Sequence, residues 1–176
     1  MAKTMKATAA LSALITICCY LPYSLTHNSV LLTLSITFGT IAYHFNVRLL
    51  VGALFNAIMN NKADYTAKWF QVSKAEMKLY NRLKIKKWKN KMPTYDADSF
   101  DVSKHSWEEI MQTMCQSELV HEANIILSFL PVAASVYFGS FWVFMITSVF
   151  SAIVDLLFVF MQRFNRYRIL KLKSRA

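Results

Sequence analysis

Glu118, His121 and Glu122 stand at i, i+3 and i+4 within the stretch CQSELVHEAN, residues 115–124. On a helix this spacing puts all three on one face. A carboxylate beside an imidazole can orient the ring, and an oriented ring can take a proton from a hydroxyl nucleophile. Glu118 and His121 are therefore candidate catalytic residues, and Asn124, near the edge of the same face, is a candidate polar contact to substrate. The same trio would also serve as an interfacial charged cluster that closes an apolar helix in head-group water. Glu-x-x-His is found in di-iron carboxylate bundles too, but those need a second such motif and further carboxylates. The chain lacks them, so no metal is expected.

Two further groups carry chemistry. Asp155 is the single charge in FWVFMITSVFSAIVDLLFVFM, residues 141–161. A charge inside an apolar span costs about 2.5–3.5 kcal/mol at the bilayer centre on insertion scales, and such residues usually face a partner or a cavity. His44 and Arg48 are candidate partners, and the pair could be structural or part of a site. Directly after that run comes QRFNRYRILKLKSRA. Gln162, Arg163, Asn165, Arg166 and Arg168 are dense in hydrogen-bond donors, and arginine suits bidentate binding of phosphate or carboxylate. A basic stop-transfer tail would explain the charge as well, though not the two amides.

Positioning these residues is the task of long helices. The chain has 176 residues, 55% of them hydrophobic, with only three glycines and three prolines. Its apolar residues gather into runs long enough to cross a hydrocarbon layer of ~30 Å. The expected fold is an all-α integral membrane protein forming a single membrane domain. Its four spans lie at about 7–24, 28–58, 121–139 and 141–161, with a basic amphipathic segment at about 60–118 between the second and third. A soluble bundle is excluded by the run 141–161, which has no polar face.

The net charge of +10 is unevenly placed. Ten Lys/Arg face two acids between Lys62 and Lys91, six basic residues lie between Arg163 and Arg175, and Lys3 and Lys6 precede the first run. The positive-inside rule puts all three segments, and both termini, on the cytoplasmic side. Lys3 and Lys6 also resemble the start of a signal peptide, but no small-x-small cleavage site follows, so the first span is expected to be retained. In the middle segment Trp69, Phe70, Met77, Tyr80, Leu83 and Trp88 can share one side of a helix, with lysines on the other. That pattern predicts an amphipathic helix on an anionic leaflet, with membrane lipids as partners. Nucleic acid is not expected, because orientation and lipid account for the basic residues. Ser106 and Glu109 predict a capping box that starts the next helix, and Pro131 predicts a kink in the third span. Cys18, Cys19 and Cys115 predict neither a disulfide nor a zinc site.

Three phrases, KIKKWKNKMP, SELVHEAN and QRFNRYRI, occur in an order and spacing that resemble the bacterial glycosyl-4,4'-diaponeurosporenoate acyltransferases, over about residues 40–170. Trp88 and Lys89 match a Trp-Lys pair, with Met92-Pro93 in place of Leu-Pro. Glu118, Leu119 and His121 match a second motif, Pro131 a span proline, and Gln162, Arg163, Asn165, Arg166 and Arg168 a third motif. Glu122 stands where that family usually has tryptophan, and Asp155 where it has asparagine. Phe164 replaces a tyrosine, and Tyr167 a proline. The resemblance implies a membrane O-acyltransferase of staphyloxanthin-type carotenoid synthesis. It would esterify a sugar hydroxyl of a lipid-like glycoside in the bacterial cell membrane. Within the trio it singles out Glu118 and His121. His121 would be the base, oriented by Glu118. Trp88, Lys89, Arg163, Arg166 and Arg168 would contact substrate, with Lys89, Arg163 and Arg166 on the phosphates or carboxylate of an acyl donor such as a thioester. Asn124, Gln162 and Asn165 would add polar contacts, and no other cofactor is implied. The rival expectation is a non-enzymatic scaffold or accessory subunit that binds anionic lipid through residues 62–91.

Overall fold

The computed structural model describes residues 2–174, so Arg175 of the basic tail lies outside the described residues. Seven helices follow in order: α1 (Ala2–Thr26), α2 (Ser29–Met59), α3 (Lys74–Arg82), α4 (Ile85–Trp88), α5 (Trp107–Leu127), α6 (Leu130–Phe138) and α7 (Phe141–Lys173). Single 3₁₀ turns cover Lys68–Phe70, Lys89–Lys91 and Asp98–Phe100, and there is no strand among the described residues. Four helices are long and apolar enough to cross a membrane: α1, α2, α5 continued by α6, and α7.

The chain divides into two compact units. One holds the chain through Val51 together with Asn124–Ile153, and the other holds Gly52–Ala123 together with the chain from Val154 onward. In the first unit the α5–α6 break falls at Ser128 and Phe129. Pro131 has no N–H to give the Leu127 carbonyl four residues back. The Tyr43 hydroxyl donates to that carbonyl instead, at 2.8 Å, so the break leaves no orphan acceptor there. Arg48 Nη2 donates to Ser151 Oγ at 2.8 Å, and Ser151 Oγ lies 3.0 Å from Ser128 Oγ. Ser128 in turn donates to the Asn124 carbonyl at 2.7 Å. A polar thread thus joins α2, α5 and α7 inside an apolar unit.

The second unit places the chemistry. Ser106 and Glu109 form the expected box: Glu109 Oε2 accepts from the Ser106 amide at 2.8 Å, and Ser106 Oγ from the Glu109 amide at 3.3 Å. Helix α5 therefore starts well before the expected span at 121. Helix α7 likewise outruns its apolar run. No Gly or Pro interrupts it after Met161, so Gln162 to Lys173 stay helical and ordered on one rod.

Residues 68–91 differ from the single amphipathic helix expected. A 3₁₀ turn, α3 and α4 replace it, because Ser73 and Glu76 form a capping box that starts a new helix and Lys84 adopts φ 53°, which ends it. The aromatic residues consequently do not share one side. Phe70 and Tyr80 are buried, whereas Trp69 is exposed. Tyr80, Ile85 and Phe164 form a small core with Trp88 and Phe160 against it, and Ala63, Phe70 and Cys115 form another with Leu119.

Candidate active site

The helical trio on α5 shares a face but not a partner. His121 Nδ1 lies 2.8 Å from Asp155 Oδ1 on α7. Asp155 is fully buried, and the His121 ring stacks on Phe158 at 4.6 Å between centroids and 5° between planes. An ionised carboxylate can only accept, so Nδ1 is the donor in this contact, and in the neutral ring that leaves the lone pair on Nε2. The His121 side chain is 18% exposed. A buried acid fixing one nitrogen of an imidazole while the other faces a reactant is the geometry of a general base.

Glu118 does not do this work. It is fully buried and forms ion pairs with Arg163 and with Arg166, the latter at 2.6 Å. The expectation that Glu118 orients His121 is corrected: the carboxylate within hydrogen-bond distance of His121 Nδ1 is Asp155. The physical reason is that two guanidinium groups from α7 surround Glu118, and a buried carboxylate without such partners would be strongly unfavourable. Glu122 has a third fate, accepting from the Trp69 indole at 3.0 Å.

Arg163 is engaged throughout. It donates to Glu76 Oε1 at 2.9 Å, to the Trp69 carbonyl at 2.9 Å, to the Gln71 carbonyl at 3.0 Å and to Glu118. Arg166, with no exposure, donates to the Phe70 carbonyl at 2.7 Å and stacks on the Phe70 ring at 5.1 Å. Both arginines thus clasp the turn at 68–71 against α5 rather than facing a phosphate. Glu76 closes the clasp from α3. Burial works against its charge, but hydrogen bonds from Ser73 and the ion pair with Arg163 outweigh this and hold its carboxyl below the ordinary range.

The remaining predicted residues separate by place. Lys89, Gln162, Asn165 and Arg168 line one cavity of about 590 Å³ in the second unit. Lys89 Nζ donates to Asn165 Oδ1 at 2.5 Å, and Gln162 Nε2 donates to Ser117 Oγ at 3.1 Å. Trp88 packs beside the Tyr80 core, with its indole donating to the Leu83 carbonyl at 3.0 Å. Asn124 and His44 belong to the first unit, where both are buried and His44 meets the Tyr43 ring edge-on at 5.5 Å. That unit has its own cavity of about 520 Å³, lined mainly by apolar residues of α1, α2 and α6.

Sequence reasoning passed over Phe158, Glu76 and Ser117. Glu76 carried a signal, its position three residues after Ser73. Phe158 carried none, being one aromatic residue in an apolar run. No curated protein and no solved structure matches the chain. The family model for glycosyl-4,4'-diaponeurosporenoate acyltransferase matches residues 66–175, a stretch that contains the His121–Asp155 pair, the arginine clasp and the Lys89 cavity. The chain belongs to the glycosyl-4,4'-diaponeurosporenoate acyltransferase family.

Proposed function

We propose that the protein is a membrane O-acyltransferase that esterifies a sugar hydroxyl of a glycosylated carotenoid, or of a similar glycolipid, with a fatty acyl group. The observation that carries this reading is the His121–Asp155 pair, a buried carboxylate 2.8 Å from an imidazole that is partly exposed. His121 Nε2 takes the proton of the sugar hydroxyl as its oxygen attacks the acyl carbonyl of the donor. Asp155 stabilises the imidazolium that forms, and Phe158 holds the ring in plane. Collapse of the tetrahedral intermediate releases the donor's leaving group, which recovers the proton from His121. The ester and a protonated leaving group are the products.

The family name supplies the acceptor class, and the four apolar helices suit a lipid-like substrate met within the bilayer. The placement of basic residues supports a cytoplasmic site with both termini on that side. The apolar cavity of the first unit suits a hydrocarbon chain. The test is acyl transfer by purified, folded His121→Ala protein. General-base catalysis contributes roughly 10²–10⁴-fold, so the expected result is a loss of kcat in that range. Activity equal to the unsubstituted protein would sink the role of His121. Lipid mass spectrometry of cells with and without the protein tests the reaction class, with a difference of one fatty acyl group expected.

A further inference from the structure

Two cations in the second unit share a cavity without a carboxylate. Lys89 Nζ and Arg168 Cζ each lie 6.0 Å from the centre of the Phe164 ring. Their cavity has neither Asp nor Glu in its lining. Elsewhere in this unit Arg163, Arg166, Lys173 and Lys104 pair with acids, whereas Lys62, Lys74, Lys78, Lys86 and Lys91 are exposed to solvent and Lys89 is half-buried. Burial, and then the nearby Arg168 charge, push the Lys89 ammonium below its ordinary range. Lys89 is half-buried and Arg168 exposed at the rim, and a like charge beside a half-buried ammonium disfavours its charged form unless an anion joins them. Asn165 and Gln162 add amides, and Trp107, Phe100 and Met114 give the rest of the wall an apolar character.

We propose that this cavity binds the phosphate end of the acyl donor and that the donor is a phosphopantetheine thioester. The proposal rests on the acyltransferase reading. It is the geometry along α7 that selects the donor class. Asn165 lies roughly 15 Å from Asp155 along the helix, and Arg168 roughly 20 Å, at 1.5 Å of rise per residue. A donor anchored there and reacting beside His121 needs a long, flexible, uncharged arm between its anion and its acyl carbonyl. Phosphopantetheine has such an arm, whereas an acyl phosphate and the ester linkage of a glycerophospholipid keep anion and carbonyl close together. The mixed wall of the cavity suits such an arm.

The experiment is calorimetric titration of the purified protein in detergent micelles with coenzyme A, with phosphopantetheinylated carrier protein, and with phosphatidylglycerol vesicles as separate arms. Binding of coenzyme A or of the carrier protein is expected. Lys89→Gln and Arg168→Gln should each weaken it roughly tenfold, the size of one charge-assisted hydrogen bond. Thr94→Glu, which puts a carboxylate on the exposed rim of the cavity, should weaken it by at least as much without touching either cation. Lys86→Gln, on an exposed neighbour outside the cavity, should not. Binding only to the vesicles, or coenzyme A affinity unchanged in Lys89→Gln, Arg168→Gln and Thr94→Glu, overturns the proposal. Since binding is read without turnover, the two readings fail separately. A protein that binds coenzyme A through these cations but transfers no acyl group keeps the cavity and loses the acyltransferase. One that transfers acyl groups with an unchanged donor KM in all three variants keeps the acyltransferase and loses the cavity.

Discussion

Glu118 Oε2 meets Arg166 Nη2 at 2.6 Å, and neither side chain has any exposure to solvent. Two acids on neighbouring turns of one helical face could be taken as equivalent, and this contact separates their roles. Glu118 is bound to Arg163 and Arg166, and the carboxylate beside His121 comes from α7.

Glu118→Ala should therefore act on stability. Removing one partner of a buried ion pair costs about 3–5 kcal/mol, because the other charge is left uncompensated. Here Arg163 would keep Glu76, while Arg166 would lose its only carboxylate among the described residues. Thermal unfolding in detergent checks this. The expected outcome is a melting temperature for Glu118→Ala well below that of Glu122→Ala, which loses only an exposed hydrogen bond from Trp69. Equal melting temperatures would show that the clasp contributes little.

Asp155 should behave in the opposite way. Asp155→Leu removes the acceptor for His121 Nδ1 and frees the ring to rotate on Phe158, so kcat should fall to the level of His121→Ala. Asp155→Asn keeps an oxygen that can accept from Nδ1–H but no charge to stabilise an imidazolium. Its kcat should lie between those of the unsubstituted protein and Asp155→Leu, with the acceptor KM little changed. Steady-state kinetics on folded protein decides it, and a full kcat in Asp155→Leu would remove Asp155 from the mechanism.

The contrast between these two acids also marks what could be read from residue order. The helices were legible because composition dictates them: a bilayer-length apolar run must satisfy its backbone within itself, and a helix does so. The Ser106–Glu109 box was legible because both members lie within four residues. Asp155 was visible as a lone charge in an apolar run, but its contact with His121 was not. Spacing of i and i+3 brings Glu118 and His121 to one face without bringing their side chains together, and a contact across 34 positions depends on how α5 meets α7. Arg163 and Arg168 likewise look alike in sequence. They diverge because the turn at 68–71 folds over one and leaves the other exposed at a cavity rim. The broken helix at 68–91 escaped notice because the Ser73–Glu76 box was present but outweighed by an apparent hydrophobic periodicity.

Tyr43→Phe tests the repair at the α5–α6 break. The hydroxyl is the donor that satisfies the Leu127 carbonyl, and an unsatisfied buried acceptor costs about 1–3 kcal/mol. A lower melting temperature is expected. Pro131→Ala restores an amide four residues beyond Leu127, which can take over that carbonyl. Tyr43→Phe should therefore cost less in a Pro131→Ala background than alone, and a double-mutant cycle reads the difference. Strict additivity would mean that the two residues do not share the acceptor.

Glu76 sets an acid limit on the second unit. Its carboxyl is held below the ordinary value of 4.5 in the folded protein, against burial, by Ser73 and Arg163. A group with a depressed folded pKa binds protons less readily folded than unfolded. Its contribution to stability is complete above the unfolded value and is lost as pH falls through the folded one. The unfolding midpoint of the unsubstituted protein should thus decline as pH drops below about 4.5. Glu76→Gln cannot titrate, so it should start from a lower midpoint at neutral pH and decline less steeply. Since Glu76 also caps α3, Ser73→Ala separates the two roles. It removes the hydroxyl half of the cap but leaves the residue-73 amide and Arg163 on the carboxylate, so most of the acid dependence should survive. Identical acid profiles for the unsubstituted protein and Glu76→Gln would show that the Arg163–Glu76 pair carries none of it.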